Sequence, residues 1–184
     1  MSKAYIVVEE PTNATIFRKI LPPELLPQVK FIDGEGKYST VSMARKLLMT
    51  EQVPTVLVID ANTDQQSMIH EQQDLDYLLR QAAGKTPFLI LMAVPTLETL
   101  FFQDRAFLEQ LFEKTFTDLE WQLARHQPKQ LLNTFQGGEK KFVERVIANL
   151  HKDAIITLGK HALVQNLIKF LQGLEVLSTE TYSM

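Results

Sequence analysis

The chain has 184 residues, of which 45% are hydrophobic, contains no cysteine, and carries a formal net charge of −3 at pH 7. This length and apolar content suit one domain with a helical appendage; the charge counts against a dedicated, tight nucleic-acid binder, and the lack of cysteine excludes disulfides, thiolate metal sites and cysteine nucleophiles. Because neither a signal-peptide pattern nor an apolar run of transmembrane length is present, we expect a soluble, cytoplasmic protein without a membrane partner.

The first half of the chain alternates strand and helix patterns. Apolar runs bounded by turn signals predict strands at residues 5–8, 28–32, 55–60 and 88–94. Amphipathic segments predict helices at residues 13–21 and 39–51, and a third helix that carries Leu75, Leu78 and Leu79 and ends at Gly84. This βαβαβαβ order implies an α/β fold in which a four-stranded parallel sheet is flanked by helices, as in Rossmann-like proteins.

The second half contains no comparable strand pattern. Helices are predicted at residues 97–116, 119–126, 139–150 and 162–171, with interruptions at Pro128 and at Gly137-Gly138. The first of these helices is rich in phenylalanine, and we expect it to pack on the sheet, with a partner-binding face as the alternative. The simplest division is an α/β domain over residues 1–95 and a helical C-terminal region over residues 96–184 that packs on the sheet.

Two of the predicted strands end in acidic residues. Glu9 follows the first strand, and Asp60 closes the third. In open parallel sheets, ligands bind just outside the carboxyl ends of the strands. Carboxylates brought together there are what a Mg²⁺ site requires. Acids also end strands because the following helix N-terminus favours negative charge, so the two interpretations stand side by side.

Four short motifs together resemble the TOPRIM domain, which is shared by type IA and II topoisomerases, bacterial primases and OLD-family nucleases. The resemblance covers about residues 4–104. The motifs are Val7-Val8-Glu9, Gly34-Glu35-Gly36, Val58-Ile59-Asp60-Ala61-Asn62-Thr63-Asp64 and Pro95-Thr96-Leu97-Glu98.

The resemblance implies a TOPRIM-like fold and a set of functional residues. It implies that Glu9 and Asp60 are catalytic carboxylates. It further implies Mg²⁺, or Mn²⁺, as the cofactor for phosphoryl-transfer chemistry. The implied metal ligands are Glu9, Asp60, Asn62, Asp64 and Glu98.

The chain departs from the family pattern at two positions. Glu10 stands where the family usually has glycine directly after the first acid, and Asn62 stands in place of the second aspartate. Asparagine lends a carbonyl oxygen to Mg²⁺ but brings no charge. Asp64 could substitute if the loop turns suitably. The pocket is therefore either a weakened metal site or one that has lost its metal.

Other motifs permit both a functional and an ordinary structural interpretation. The loop Gly34-Glu35-Gly36 could offer backbone N–H groups to a phosphate, or could be a tight turn before a helix. Lys37, Lys141 and Arg145 are candidates for nucleic-acid contacts, although solvated helix faces would carry the same residues.

These observations lead to two functional hypotheses. The first is a divergent TOPRIM-like, metal-dependent nuclease or phosphoryl-transfer protein that acts on nucleic acid. The second is a catalytically degenerate TOPRIM-like module that acts through protein contacts in a defence or DNA-processing assembly, with a protein partner or as a homodimer. Whether the chain is an enzyme stays open. A receiver-like signalling domain fits poorly, since the fourth strand does not end in serine or threonine.

Overall fold

The structure is a computed structural model that describes residues 4–61 and 65–181. Within these residues the sheet has four parallel strands in the order β2-β1-β3-β4. Since β1 and β3 are central, both of their faces are buried, which explains their continuous Val/Ile/Leu content. The strands are β1 (Ala4–Val8), β2 (Val29–Asp33), β3 (Thr55–Asp60) and β4 (Phe88–Ala93).

Helices connect the strands and make up all of the described chain after β4 apart from short connections. Three of them lie between strands: α1 (Pro11–Ile20), α2 (Lys37–Lys46), which continues as a π-helical turn (Leu47–Glu51), and α3 (Gln65–Ala83). A 3₁₀ segment (Leu97–Gln103) follows β4. The remaining helices are α4 (Arg105–Phe112), α5 (Asp118–His126), α6 (Pro128–Leu132), α7 (Gly138–Asn149), α8 (Lys152–Gly159) and α9 (Ala162–Thr181).

The two faces of the sheet carry separate apolar clusters. Alternate residues of a strand point to opposite faces, and accordingly Ile6 and Val8 belong to one cluster while Val7 belongs to the other. The larger cluster combines α1 with side chains from the 3₁₀ segment and the helices that follow it. The smaller one is formed by α2, its π-helical turn and α3. The phenylalanine-rich segment after β4 packs in the larger cluster, where Phe101 and Phe102 are buried.

Several predicted elements differ from those observed. The helix predicted over residues 97–116 is divided at Asp104, because this side chain accepts a hydrogen bond from the Phe107 N–H at 3.0 Å and so starts α4. The interruption predicted at Pro128 is present, since α5 ends at His126 and Gln127 is not helical; Pro128 itself then begins α6, where proline at the first helical position is favourable. α8 was not predicted. The division of the chain near residue 95 stays a prediction, and the larger cluster contains residues from both sides of it.

No helix in the described part of the chain is long and apolar enough to cross a membrane.

Candidate functional site

The acids predicted at the strand ends lie beside one another. The backbone N–H of Asp60 donates a hydrogen bond of 2.8 Å to Oε1 of Glu9, so the acid after β1 holds the end of β3. The side chain of Asp60 is only 6% exposed, and its Oδ1 accepts a 2.9 Å hydrogen bond from the backbone N–H of Leu97. Asp60 is thus held through its backbone N–H by Glu9 and through its carboxylate by the start of the 3₁₀ segment.

Glu98 brings a third carboxylate to this edge of the sheet. It lies in the 3₁₀ segment that follows β4 and is 3% exposed. Its Oε2 atom is buried without a hydrogen-bond partner among the described residues. Leaving a buried charged oxygen unpaired costs free energy, so a native structure keeps such an atom for a reason that the fold alone does not supply.

Two side chains from the helical region complete the pocket. The ammonium of Lys129, in α6, lies 3.6 Å from Oδ2 of Asp60 and 4.0 Å from Oε1 of Glu139, near the start of α7. Neither residue was predicted as part of the site. The strand-end acids therefore face an internal cation that comes from a distant part of the sequence.

We refer to Glu9, Asp60, Glu98, Lys129 and Glu139 as the strand-end pocket. Burial, followed by the charge of Glu98, raises the pKa of Asp60 to about 7, although Lys129 and the Leu97 N–H act in the opposite direction. Burial also raises the pKa of Glu9 and of Glu139, and the nearby Glu98 carboxylate adds to the effect on Glu139. Burial on its own would lower the pKa of Lys129, but the surrounding carboxylates raise it. The pocket thus has a shortage of positive charge.

The three basic residues predicted to contact nucleic acid occupy different places. The Lys37 ammonium donates to the backbone oxygen of Asp60 at 3.1 Å and pairs with Glu71, so it lies beside the strand-end pocket. Arg145 donates to the backbone oxygen of Leu111 at 2.6 Å, which ties α7 to α4. Lys141 is exposed on α7. For all three residues, nucleic-acid contact stays a prediction.

The glycine loop after β2 forms a tight turn. The N–H groups of Gly34 and Gly36 donate to the backbone oxygens of Val8 and Glu9 at 2.8 and 3.0 Å, and the Glu35 N–H donates to Asp33. These amides are therefore already bonded within the chain and do not form a phosphate cradle. A Cβ atom on Gly34 would lie 2.1 Å from the Thr40 hydroxyl oxygen, so the close approach of the loop to α2 requires glycine there.

Two predicted ligands, Asn62 and Asp64, lie outside the described residues. Among residues 4–61 and 65–181, no group of three or more histidine or acidic side chains is arranged to hold a metal ion. Glu10 is exposed and begins α1 without a side-chain cap.

With this geometry in place, the chain can be compared with known proteins. Two solved structures of the C-terminal region of the Xanthomonas campestris pv. campestris OLD protein, one phased with mercury and one with iodine, are similar over nearly their whole length. The first has a TM-score of 0.55 at 12% identity and covers 98% of both chains; the second has a TM-score of 0.51 at 13% identity and covers 99% of this chain and 98% of the other. This chain and the OLD protein region share the same fold.

The comparison confirms the predicted α/β fold with a four-stranded parallel sheet flanked by helices. It also extends over the helical second half, which the motif resemblance did not cover. No protein-family model and no curated protein sequence matches the chain. At this identity the likeness shows the fold, while the chemistry of the strand-end pocket must be argued from its own residues.

Proposed function

We propose that this chain is a TOPRIM-like, metal-dependent phosphoryl-transfer protein, and specifically a nuclease, with the strand-end pocket as its active site. One observation carries the proposal: Asp60 and Glu98 are both buried at the carboxyl edge of a parallel sheet, and Oε2 of Glu98 has no hydrogen-bond partner among the described residues. Burial raises the pKa of Asp60, and a buried acid with a perturbed pKa at such an edge is typical of functional sites. The similarity in fold to an OLD protein region supports a nuclease-related family.

The donor chemistry of the pocket fits a hard cation. Asp60, Glu98 and the free oxygen of Glu9 present carboxylate oxygens, which Mg²⁺ and Mn²⁺ prefer. A cation would pair the buried Glu98 oxygen and oppose the burial and the Glu98 charge, which together raise the pKa of Asp60. Because the described acids do not by themselves form a three-ligand group, the metal would take its remaining ligands from water, from Asn62 or from Asp64.

Each residue of the pocket has a distinct role in this proposal. Glu9 holds the end of β3 through one oxygen and offers the other to the ion. Asp60 is oriented by the Leu97 N–H, so its second oxygen is directed towards Lys129 and the open part of the pocket. Lys129 reduces the negative charge that an approaching phosphate meets. A bound metal would polarise the phosphodiester and activate water.

Metal binding tests the proposal directly. We expect saturable, calorimetric binding of Mg²⁺ and Mn²⁺ that Asp60→Ala abolishes, and metal-dependent cleavage of labelled DNA or RNA that the same variant loses. The matched control is Asp74→Ala, since Asp74 is an exposed acid on α3. Absence of binding up to several millimolar of either ion, with a folded protein, would contradict the catalytic proposal.

A second candidate function is favoured by the position of Lys129. An ammonium already lies 3.6 Å from Asp60, where a metal would otherwise supply the positive charge. If the lysine is the permanent counter-ion, the chain is a catalytically degenerate module that acts through protein contacts. The two functions differ in one measurement: a degenerate site should bind Mg²⁺ only after Lys129→Met removes the competing ammonium, whereas an active site should bind Mg²⁺ in the wild-type chain and lose cleavage in the variant.

A further inference from the structure

A separate concave surface follows the outer edge of β4. A cleft of about 1290 Å³ is lined by every residue from 90 to 95, together with residues of α3, the 3₁₀ segment, α5 and the start of α9. Successive strand residues point to opposite faces of a sheet, so an unbroken run of lining residues means that the edge of β4 borders the cleft. The volume exceeds the ~300–1,000 Å³ of ordinary small-molecule sites, which indicates a polymer segment as the occupant.

The hydrogen-bonding groups of this edge are unused. The backbone oxygens of Pro87 and Ala93 accept from the N–H groups of Thr55 and Ala61, so odd-numbered residues of β4 face β3. The peptide groups of Ile90 and Met92, the alternate residues, then point away from β3. In the described part of the chain, neither residue has a hydrogen bond on that side.

The two edge strands of the sheet differ in charge, although an arginine lies over a phenylalanine ring at each edge, Arg18 over Phe31 and Arg80 over Phe88. The edge strand β2 has the sequence VKFID, which includes Lys30 and Asp33. Charged side chains on an edge strand discourage pairing with other chains. The edge strand β4 has the sequence FLILMA and carries no charge. An uncharged, apolar edge is suited to accept another strand.

The side chains around the cleft indicate the chemistry of that strand. Arg125, His126 and His161 line the cleft, and among the lining residues that the structure describes there is no aspartate, glutamate, phenylalanine, tyrosine or tryptophan. The missing carboxylates and the arginine favour an acidic ligand. The missing aromatic rings disfavour single-stranded nucleic acid, which stacks its bases on aromatic side chains.

We propose that the β4 edge binds an extended, acidic peptide segment of a partner protein, which adds to the sheet as a fifth strand. Main-chain hydrogen bonds to Ile90 and Met92 supply the pairing, and Arg125 selects for acidic side chains, as in other cases of strand addition. Glu9, Asp60 and Glu98 do not line the cleft, so this inference does not depend on metal chemistry in the strand-end pocket.

A labelled peptide tests this proposal. The probe is a fluorescent peptide of about eight residues, an ordinary strand length, that alternates valine with glutamate. We expect saturable binding in fluorescence anisotropy. A peptide with N-methylated alternate residues should not bind, because it cannot form strand hydrogen bonds, and a peptide with lysine in place of glutamate should bind at least about tenfold more weakly.

Two protein variants locate the site. Met92→Pro removes an N–H that is not part of the ladder to β3, a substitution that an edge strand tolerates. Arg125→Glu reverses an exposed charge, so it leaves folding intact even if the proline variant does not fold. Both should weaken peptide binding at least about tenfold. Arg45→Glu, an exposed arginine on α2 that does not line the cleft, is the matched control and should bind normally.

Three results would overturn the proposal. The first is no binding at about 1 mM peptide, or binding that neither N-methylation nor the variants affect. The second is displacement of the peptide by an oligothymidine at lower concentration than by unlabelled peptide, which would assign the cleft to nucleic acid. The third is a dimer in analytical ultracentrifugation that Met92→Pro dissociates, which would assign the β4 edge to self-association.

Discussion

Acidic side chains occur in two contrasting regions of this molecule. In the strand-end pocket, burial raises the pKa of Asp60 to about 7. Around the start of α5, the pKa of Glu120 is lowered to about 2 by the Lys114 ammonium and then by the N–H and hydroxyl of Thr117. The first region destabilises ionised acids, whereas the second stabilises them. A site that destabilises its own ionised acids is a candidate for function, whereas fully paired acids are ordinary structural elements.

The contrast has a geometric cause. Both oxygens of Glu120 are occupied, one by Lys114 at 2.8 Å and the other by the Thr117 N–H at 2.8 Å in a capping box. In the strand-end pocket the ammonium of Lys129 lies near both Asp60 and Glu139, that of Lys37 is bonded to the Asp60 backbone oxygen, and Oε2 of Glu98 has no partner within the described residues. Burial of several acids with few donors to their carboxylates distinguishes this region from the paired Glu120.

The largest expected effect on stability concerns Asp60 in the strand-end pocket. Its carboxyl has a pKa near 3.8 in the unfolded chain and about 7 in the folded chain, so the free energy of unfolding should fall as the pH rises between these two values. Asp60→Asn keeps an oxygen for the Leu97 N–H and removes the charge. We expect it to increase the free energy of unfolding by about 2 kcal/mol at pH 8, less than the full shift because the attraction to Lys129 is lost.

Urea unfolding in the presence of a chelator, from pH 4 to pH 8, measures this effect. Most of the gain should be lost near pH 4, which lies close to the unfolded pKa of 3.8 while the folded carboxyl is still protonated. Asp74→Asn, at an exposed position of α3, serves as the control and should show no such dependence. An Asp60→Asn variant that is less stable than wild type at pH 8 would mean that the pocket stabilises its ionised acids after all.

A smaller effect is expected when the internal cation is removed. Lys129→Met removes the ammonium that lies closest to the Asp60 carboxylate. The free energy of unfolding at pH 8 should fall by about 1 kcal/mol, less than for a fully buried ion pair, because the lysine is partly exposed to solvent. Near pH 5 the loss should be smaller, since Asp60 is then protonated.

Lys140→Met, a neighbouring exposed lysine on α7, is the control for the general effect of losing one positive charge. Thermal unfolding of both variants at pH 5 and at pH 8 tests whether the loss is specific to Lys129. Equal losses for the two lysines would show that the acids of the strand-end pocket do not depend on Lys129.

The smallest effect on stability is expected for Glu120, in the first turn of α5. Glu120→Gln removes the ion pair with Lys114 and weakens the capping box, so the melting temperature should fall, but by less than for Lys129→Met. Because the folded pKa of Glu120 lies below its usual 4.5, its contribution is present above that value and is lost as the pH falls towards 2. Melting curves between pH 2 and pH 7 should show this dependence, opposite in direction to that of Asp60. A difference that grows on acidification would contradict it.

The fold was predictable where burial is complete. Every residue of β3 is buried, and the predicted bounds of this strand are the observed ones. The helical half was harder, because two of its helices are short and one of these is capped by an unusual residue. α6 has five residues and begins at a proline, and α8 is capped by His151, whose Nδ1 accepts from the Ala154 N–H at 3.2 Å. Histidine is not among the residues by which a helix start is normally identified.

The candidate site was predictable in part. The proximity of Glu9 and Asp60 follows from strand order and from the rule that the carboxyl ends of parallel strands meet. Lys129 and Glu139 could not be found in the same way, since they reach the pocket from helices whose packing on the sheet has no local sequence signal. The negative charge gathered at the strand ends implies that a cation lies nearby, but it does not identify Lys129 as that cation.

The larger apolar cluster has a consequence for the order of events during protein synthesis. It contains Ala4, near the beginning of the chain, and Leu174, in the last helix. A ribosome synthesises β1 before α9, so some of the side chains that cover one face of β1 emerge much later than the strand itself. Until then an apolar surface is exposed to other nascent chains and to chaperones. β1 is therefore fully enclosed only after α9 has been made.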